Sequence, residues 1–506
     1  MECNQTQTTV AATKTLYENF LEEKCECDLI VPDYFPAAEK IIQCSAWPMI
    51  SKKEVEGDRL VLEGCCRFSV IYQSEDECGI KALNESVNFS ESFPLKEMGE
   101  NPWVQAVVRT SGNSCRLLNG RKISAKANVS IALKVKDQQQ IQSLEKMECD
   151  DVETLFESKA VYTVLEHPVD TFKVQGEIEV HSDIQDVLKT EGVVCIKDIK
   201  MMPGKVMIKG VLDLYVLFTS EEDPCRVEHT STAIPFSQML EIDTSDEVAS
   251  MDANILIQNI RTDVEGDDAG KNRIISVVAT MLTEGEVFLN RQHQFLIDAY
   301  SNCFPMEISR QELSTEEMIE RDQLAESLVF EFPLEGENAE IIQSIGSPII
   351  RKITGKENAL VIEGVLDVSL FLREGEQYRS ADKSFSFTFE KPMERLEGQM
   401  RCEVLPCLIG TEWSVNGGTA KIKAEMCCMI SVFAKQVSDV IQAFELDAEH
   451  HLLPPPASSV IVYYAEKGER LWDIARKYAT SVAVIQNVND MNGDVIEDKQ
   501  MLLISR

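Results

Sequence analysis

The chain has 506 residues, too many for one hydrophobic core, and its composition (44% hydrophobic, 26% charged) is that of a folded globular protein. Its 85 acidic against 49 basic residues give a formal net charge of −36. That charge argues against nucleic acid or an anionic membrane surface as a partner, since both are bound through clustered Lys and Arg.

The first residues lack a basic stretch followed by an apolar one, so no secretory signal is expected. No uncharged apolar run approaches the roughly 20 residues of a transmembrane helix. The expected location is therefore the cytosol. The 16 cysteines contain no CxxC and no paired metal-ligand spacing, which predicts reduced, largely buried thiols and no metal site.

Along the chain one pattern recurs three times. LEGCCRFSVIY from Leu62, IKGVLDLYVLF from Ile208 and IEGVLDVSLFL from Ile362 each place a glycine after a charged residue and continue with alternating apolar positions. Gln43, Lys189 and Gln343 each stand 21 residues before the glycine of their copy, Gly64, Gly210 or Gly364. Phe-containing segments follow (SESFPL, TAIPFSQ, SFTFEKP), then late strand-like stretches from Lys122, Arg273 and Thr419. A period near two in Val, Ile, Leu, Phe and Tyr predicts strands with one buried face. Glu56-Gly57-Asp58, Met202-Pro203-Gly204 and Asn416-Gly417-Gly418 predict tight turns between them. The glycines are expected at a bulge or a close backbone approach.

Two connectors read as helix formers: LSTEEMIERDQLAESL from Leu313, with a capping signal at Ser314, Thr315 and Glu317, and an acidic stretch from Ser143. LLPPPASS, from Leu452, predicts an extended spacer. Val460 to Arg506 then carries six basic and seven acidic residues, so nearly all the net charge belongs to the repeats.

The fold class expected is mainly β: three repeated antiparallel β-sandwich or barrel-like domains plus a small α+β (βααβ) domain. The expected boundaries are 28–150, 165–305 and 325–448 for the repeats, 452–459 for the proline-rich linker and 460–506 for the last module. Its VIVYYA reads as a strand, LWDIARKY and the Val482 to Val488 stretch as helices, and MLLIS as a closing strand.

This module resembles the LysM family through Tyr463, Gly468, Leu471, Trp472, Ile474, Ala475, Asn489 and Gln500. It departs from the family at Glu469 and Arg470 (usually Asp-Thr), Lys499 (usually Gly) and Ser505 (usually Pro). The resemblance implies a shallow groove for N-acetylglucosamine polymers such as peptidoglycan, lined by Gly468, Glu469, Arg470 and Leu471 and by Asn489, Asp490, Met491 and Asn492. The same surface is open to a protein ligand. Three β-rich repeats, a proline spacer and LysM together resemble the SipL-like family of clostridial spore-coat morphogenetic proteins, whose repeats are SPOCS domains. That resemblance implies a protein of the mother-cell cytoplasm gathered at the forespore surface. Its implied partners are the coat's basement-layer morphogenetic ATPase and other coat proteins.

No HExxH, GxSxG or Walker-type loop occurs, and no cysteine is paired in sequence with a base. The expectation is no catalytic residues, no cofactor and no enzymatic activity.

Overall fold

The computed structural model describes residues 4–75, 79–148, 151–246, 248–336, 339–356, 358–393, 399–447, 449–450 and 460–505. The linker expected at 452–459 lies outside the described residues. Unit one is built from β1 (Asn4–Ile30), β2 (Ala38–Glu56), β3 (Arg59–Ser74), β4 (Ile80–Pro94), β5 (Trp103–Asn119) and β6 (Lys122–Glu148). Unit two has β7 (Val152–Glu166), β8 (Val169–Glu179), β9 (Ile184–Met202), β10 (Lys205–Ser220), β11 (Val227–Glu241), β12 (Ser250–Gly266) and β13 (Asn272–Ser301). Unit three has β14 (Met306–Pro333), β15 (Glu340–Lys356), β16 (Ala359–Glu374), β17 (Gln377–Pro392), β18 (Met400–Asn416) and β19 (Thr419–Leu446).

Each unit packs two antiparallel sheets face to face. One is a meander, β2-β3-β4 and its counterparts β9-β10-β11 and β15-β16-β17. The other joins the unit's opening strand to its closing hairpin: β1-β6-β5, β7/β8-β13-β12 and β14-β19-β18. The chain is therefore mainly β, as the alternation predicts, and each sandwich encloses its own apolar core. The turn glycines Gly57, Gly204, Gly417 and Gly418 all have positive φ, which suits the tight turns of their hairpins.

The repeated glycines show both features expected of them. Gly64, Gly210 and Gly364 each lie beside a register shift in the pairing with the preceding strand. On the other side each sits directly across from a phenylalanine: Phe89, Phe236 or Phe387. A Cβ there would enter that aromatic ring and press on the carbonyl of Met49, Cys195 or Ile349.

The connectors correct the helix expectation. Leu313–Leu328 lies within β14, and the stretch from Ser143 runs along the end of β6 and the start of β7. Helix propensity is outweighed because β14 pairs with β19 along its length and buries Leu313, Thr315 and Met318. The opening strands β1, β7 and the first half of β14 also run beyond the sandwiches, forming two-stranded arms with the ends of β6, β13 and β19.

Where sandwich becomes arm, the opening strand is interrupted at one level in all three units. Leu16 and Ile319 are bulged opposite Val135 and Val432, and in unit two Pro168, which has no N–H to donate, splits β7 from β8 near Val287. The three arms then bury one another's faces. One layer joins Trp103, Tyr162, Val164, Phe288, Met318 and Phe433; the next contains Val10, Ile141, Val161, Phe295, Leu313 and Val440. At the opposite end the meanders meet through Ile71, Leu217 and Phe371, which are equivalent positions seven residues after the repeated glycines. The three units thus surround a common centre.

Just inside that end lie the equivalent residues Gln43 and Gln343, both buried, and Lys189, half-buried, with Lys189 Nζ 3.3 Å from Gln43 Oε1 and 2.7 Å from Glu191. Between the two apolar ends is a cavity of about 820 Å³, lined by inward-turned stretches of β2, β5, β9, β12, β15 and β18. Turning these strands inward shields edges that would otherwise recruit other chains.

The cysteines correct a second expectation in part. Cys44 on β2 and Cys115 on β5 are joined in a disulfide, with their Cα atoms 6.1 Å apart, while Cys25, Cys27, Cys65, Cys66, Cys195, Cys303, Cys402, Cys407, Cys427 and Cys428 carry free thiols. The disulfide ties together the two edge strands that close unit one.

Candidate functional site in the C-terminal module

The module comprises β20 (Val460–Ala465), α1 (Leu471–Tyr478), α2 (Val482–Val488) and β21 (Gln500–Ser505), with β20 antiparallel to β21. Leu471, Ile474, Ala475, Ile485, Leu502 and Ile504 form its interior. Ser481 caps α2 by accepting from Val484 N at 3.1 Å.

The first predicted loop is self-supporting. Glu469 accepts from the Tyr463 hydroxyl at 3.0 Å and from Glu466 N at 3.0 Å, which raises the tyrosine's pKa, chiefly through that hydrogen bond. Arg470 pairs with Asp473 at 2.9 Å. Gly468 has φ +90°, a conformation few other residues adopt. Of the second loop, Asn489 is committed to structure: it donates to Ile485 O and Leu503 O and accepts from Leu503 N. Asp490 and Asn492 are exposed and Met491 is half-buried.

The two predicted loops do not meet directly. The stretch 493–496, absent from the sequence reading, lies between them. Gly468 N donates to Ile496 O, Leu471 N to Asp494 O and Ile496 N to Glu469 O. Gln486 Nε2 then ties Gly493 O and Asp494 to α2. The Asn492-Gly493-Asp494 sequence is itself a turn signal and marked this stretch. Leu471 is fully buried, so its side chain belongs to the module's core. Gly468, Arg470, Asp490, Asn492 and Gly493 form the solvent-facing rim, with Glu469 and Met491 half-buried behind it.

A second feature was not legible in the sequence. The module is docked on the arm of unit two through α1. Asp298 on β13 accepts from Trp472 Nε1 and from Arg476 Nη1, both at 2.8 Å, and is paired with Arg310 at 2.8 Å. Tyr300 packs edge-on against Trp472 with ring centroids 4.9 Å apart, and its hydroxyl donates to Thr480 O at 2.8 Å. Trp472 is left 7% exposed. The docked face of α1 and the groove rim use different residues, so docking leaves the rim open.

Among the described residues, no group of His, Cys, Asp and Glu is placed to hold a metal ion, and no helix is long and apolar enough to cross a membrane.

Residues 37–111 and 183–265 match the family model described as SipL, SPOCS domain, and residues 463–505 match the LysM domain. The first two segments cover the meander and the strand after it in units one and two; unit three repeats that topology in β15 to β18. No curated protein and no solved structure matches the chain. Both matched families are non-catalytic, and together they point to a sporulation-related protein with a module of the peptidoglycan-binding type. The chain therefore carries the domain pattern of a SipL-like protein, with SPOCS matches in units one and two and a C-terminal LysM domain.

Proposed function

We propose that this protein is a non-enzymatic scaffold of the spore coat. In this reading it acts in the mother-cell cytoplasm, gathers at the forespore surface and bridges the basement-layer coat ATPase to other coat components, with LysM as the docking module. The observation that carries the reading is the Asp298 clamp. It fixes the LysM rim relative to three mutually packed units, so two partners can be held at a set separation, and a second contact gains from the first by proximity. The units' strong negative charge favours basic coat partners and opposes uncontrolled self-association.

A second reading, binding to N-acetylglucosamine polymers of peptidoglycan through the same rim, is supported by the LysM match and the exposed Gly468, Arg470, Asp490 and Asn492. The test is localisation in sporulating cells of the full chain, of a chain lacking 460–506, and of Arg470→Glu. The scaffold reading expects a ring at the forespore for the full chain, depending on the ATPase and lost without the module. A ring that persists without the ATPase and follows the peptidoglycan would contradict it.

A further inference from the structure

Cysteines that face a sandwich core are accounted for as small apolar residues; three cysteines at the junction of units two and three are not. On β9, Val194 and Ile196 point into the core of unit two, so Cys195 between them points out of the sandwich. On β18 and β19, Cys402, Val404, Met426 and Cys428 face the core of unit three, which turns Cys407 and its register partner Cys427 outward. Cys195 is nevertheless buried, because unit three covers it. Cys407 Sγ lies 3.6 Å from the carbonyl of Val194, the neighbour of Cys195, which brings the two thiols together across the junction. Cys407 lines the central cavity, which gives small reagents a path to the pair.

We propose that Cys195 and Cys407 form a reversible disulfide joining units two and three, a thiol-modification site built into the junction. Beside Cys407, and with Lys197 near, the Cys195 thiol is held below its ordinary range despite burial, so this residue supplies the attacking thiolate. With a low-molecular-weight disulfide such as oxidised glutathione, Cys195 attacks one sulfur and expels one glutathione thiol. Cys407 then gives up its proton and attacks Cys195 Sγ, expelling the second. Two protein thiols become one disulfide as one glutathione disulfide becomes two thiols.

The full chain, incubated with oxidised glutathione and then alkylated and digested without reductant, tests this. The expected result is the loss of two alkylatable thiols and a cross-linked peptide joining Cys195 to Cys407. That peptide should disappear in Cys195→Ser and in Cys407→Ser and persist in Cys427→Ser. Full alkylation of both residues after oxidation would overturn the proposal, as would a cross-link of Cys407 to Cys427 or of Cys195 to Cys402.

Discussion

Asp298 accepts a 2.8 Å hydrogen bond from the indole of Trp472, a residue 174 positions further along the chain. The same oxygen accepts from Arg476 and the other from Arg310. Asp298→Ala removes all three hydrogen bonds at once. Hydrogen bonds to a charged group are worth about 1.5–3 kcal/mol each, so docking should weaken by about 2 kcal/mol or more. Hydrogen exchange should quicken at 296–300 and 472–480, while LysM itself stays folded. Unchanged exchange at both stretches would show that the clamp does not hold the module.

Gly210→Ala places a methyl group against the Phe236 ring and the Cys195 carbonyl. Overpacking of this kind costs about 1–3 kcal/mol, and thermal unfolding should reveal it. Adding Phe236→Ala to the glycine variant should cost less than the two single changes summed, since the new methyl group and the Phe236 ring compete for the same space. Strict additivity would mean that the aromatic does not constrain this site.

The Lys136–Glu286 pair links units one and two at 2.9 Å, almost wholly buried, with Trp103 Nε1 donating to the same carboxylate at 2.6 Å. Glu286→Ala leaves a buried ammonium without its anion and should cost about 3–5 kcal/mol. Lys136→Met with Glu286→Leu should recover most of that loss. Chemical denaturation of the three variants measures both effects.

Glu403 responds to pH. Burial would raise its carboxyl, but Arg401, Lys136 and Lys134 outweigh burial and hold it at about 2, against an ordinary 4.5. A depressed carboxyl pKa stabilises the fold above the unfolded value and loses that contribution as pH falls. The stability supplied by Glu403 at the junction of units one and three should therefore be complete above about pH 4.5 and drain away towards pH 2. Melting of Glu403→Gln should be lower at neutral pH and flatter across that window; parallel profiles would refute the assignment.

Legibility followed distance along the chain. The strand pattern around Gly64, Gly210 and Gly364, the glycine turns and the βααβ order of LysM are local, and each appears where its residues predict. Leu313 to Leu328 misled because Glu, Met and Ala favour helices in isolation, whereas its β structure depends on β19, more than 90 residues away. The reason for three units was equally hidden. Val10, Val161 and Val440 look like ordinary strand residues, but each covers an arm of another unit, and two arms alone would leave an apolar face exposed. In the candidate site, family spacing named Gly468 and Asn492, both exposed in the structure. It could not supply Asp298, whose partners lie in another part of the sequence.

The most direct test of the scaffold account is binding of the purified full chain to the purified basement-layer coat ATPase and, in parallel, to soluble peptidoglycan fragments. Wild type, Arg470→Glu and Asp490→Lys would be compared. The account predicts saturable ATPase binding that the rim variants reduce at least tenfold, with weaker or no glycan binding. Glycan binding that the same variants abolish, with the ATPase unbound by the wild type, would contradict it.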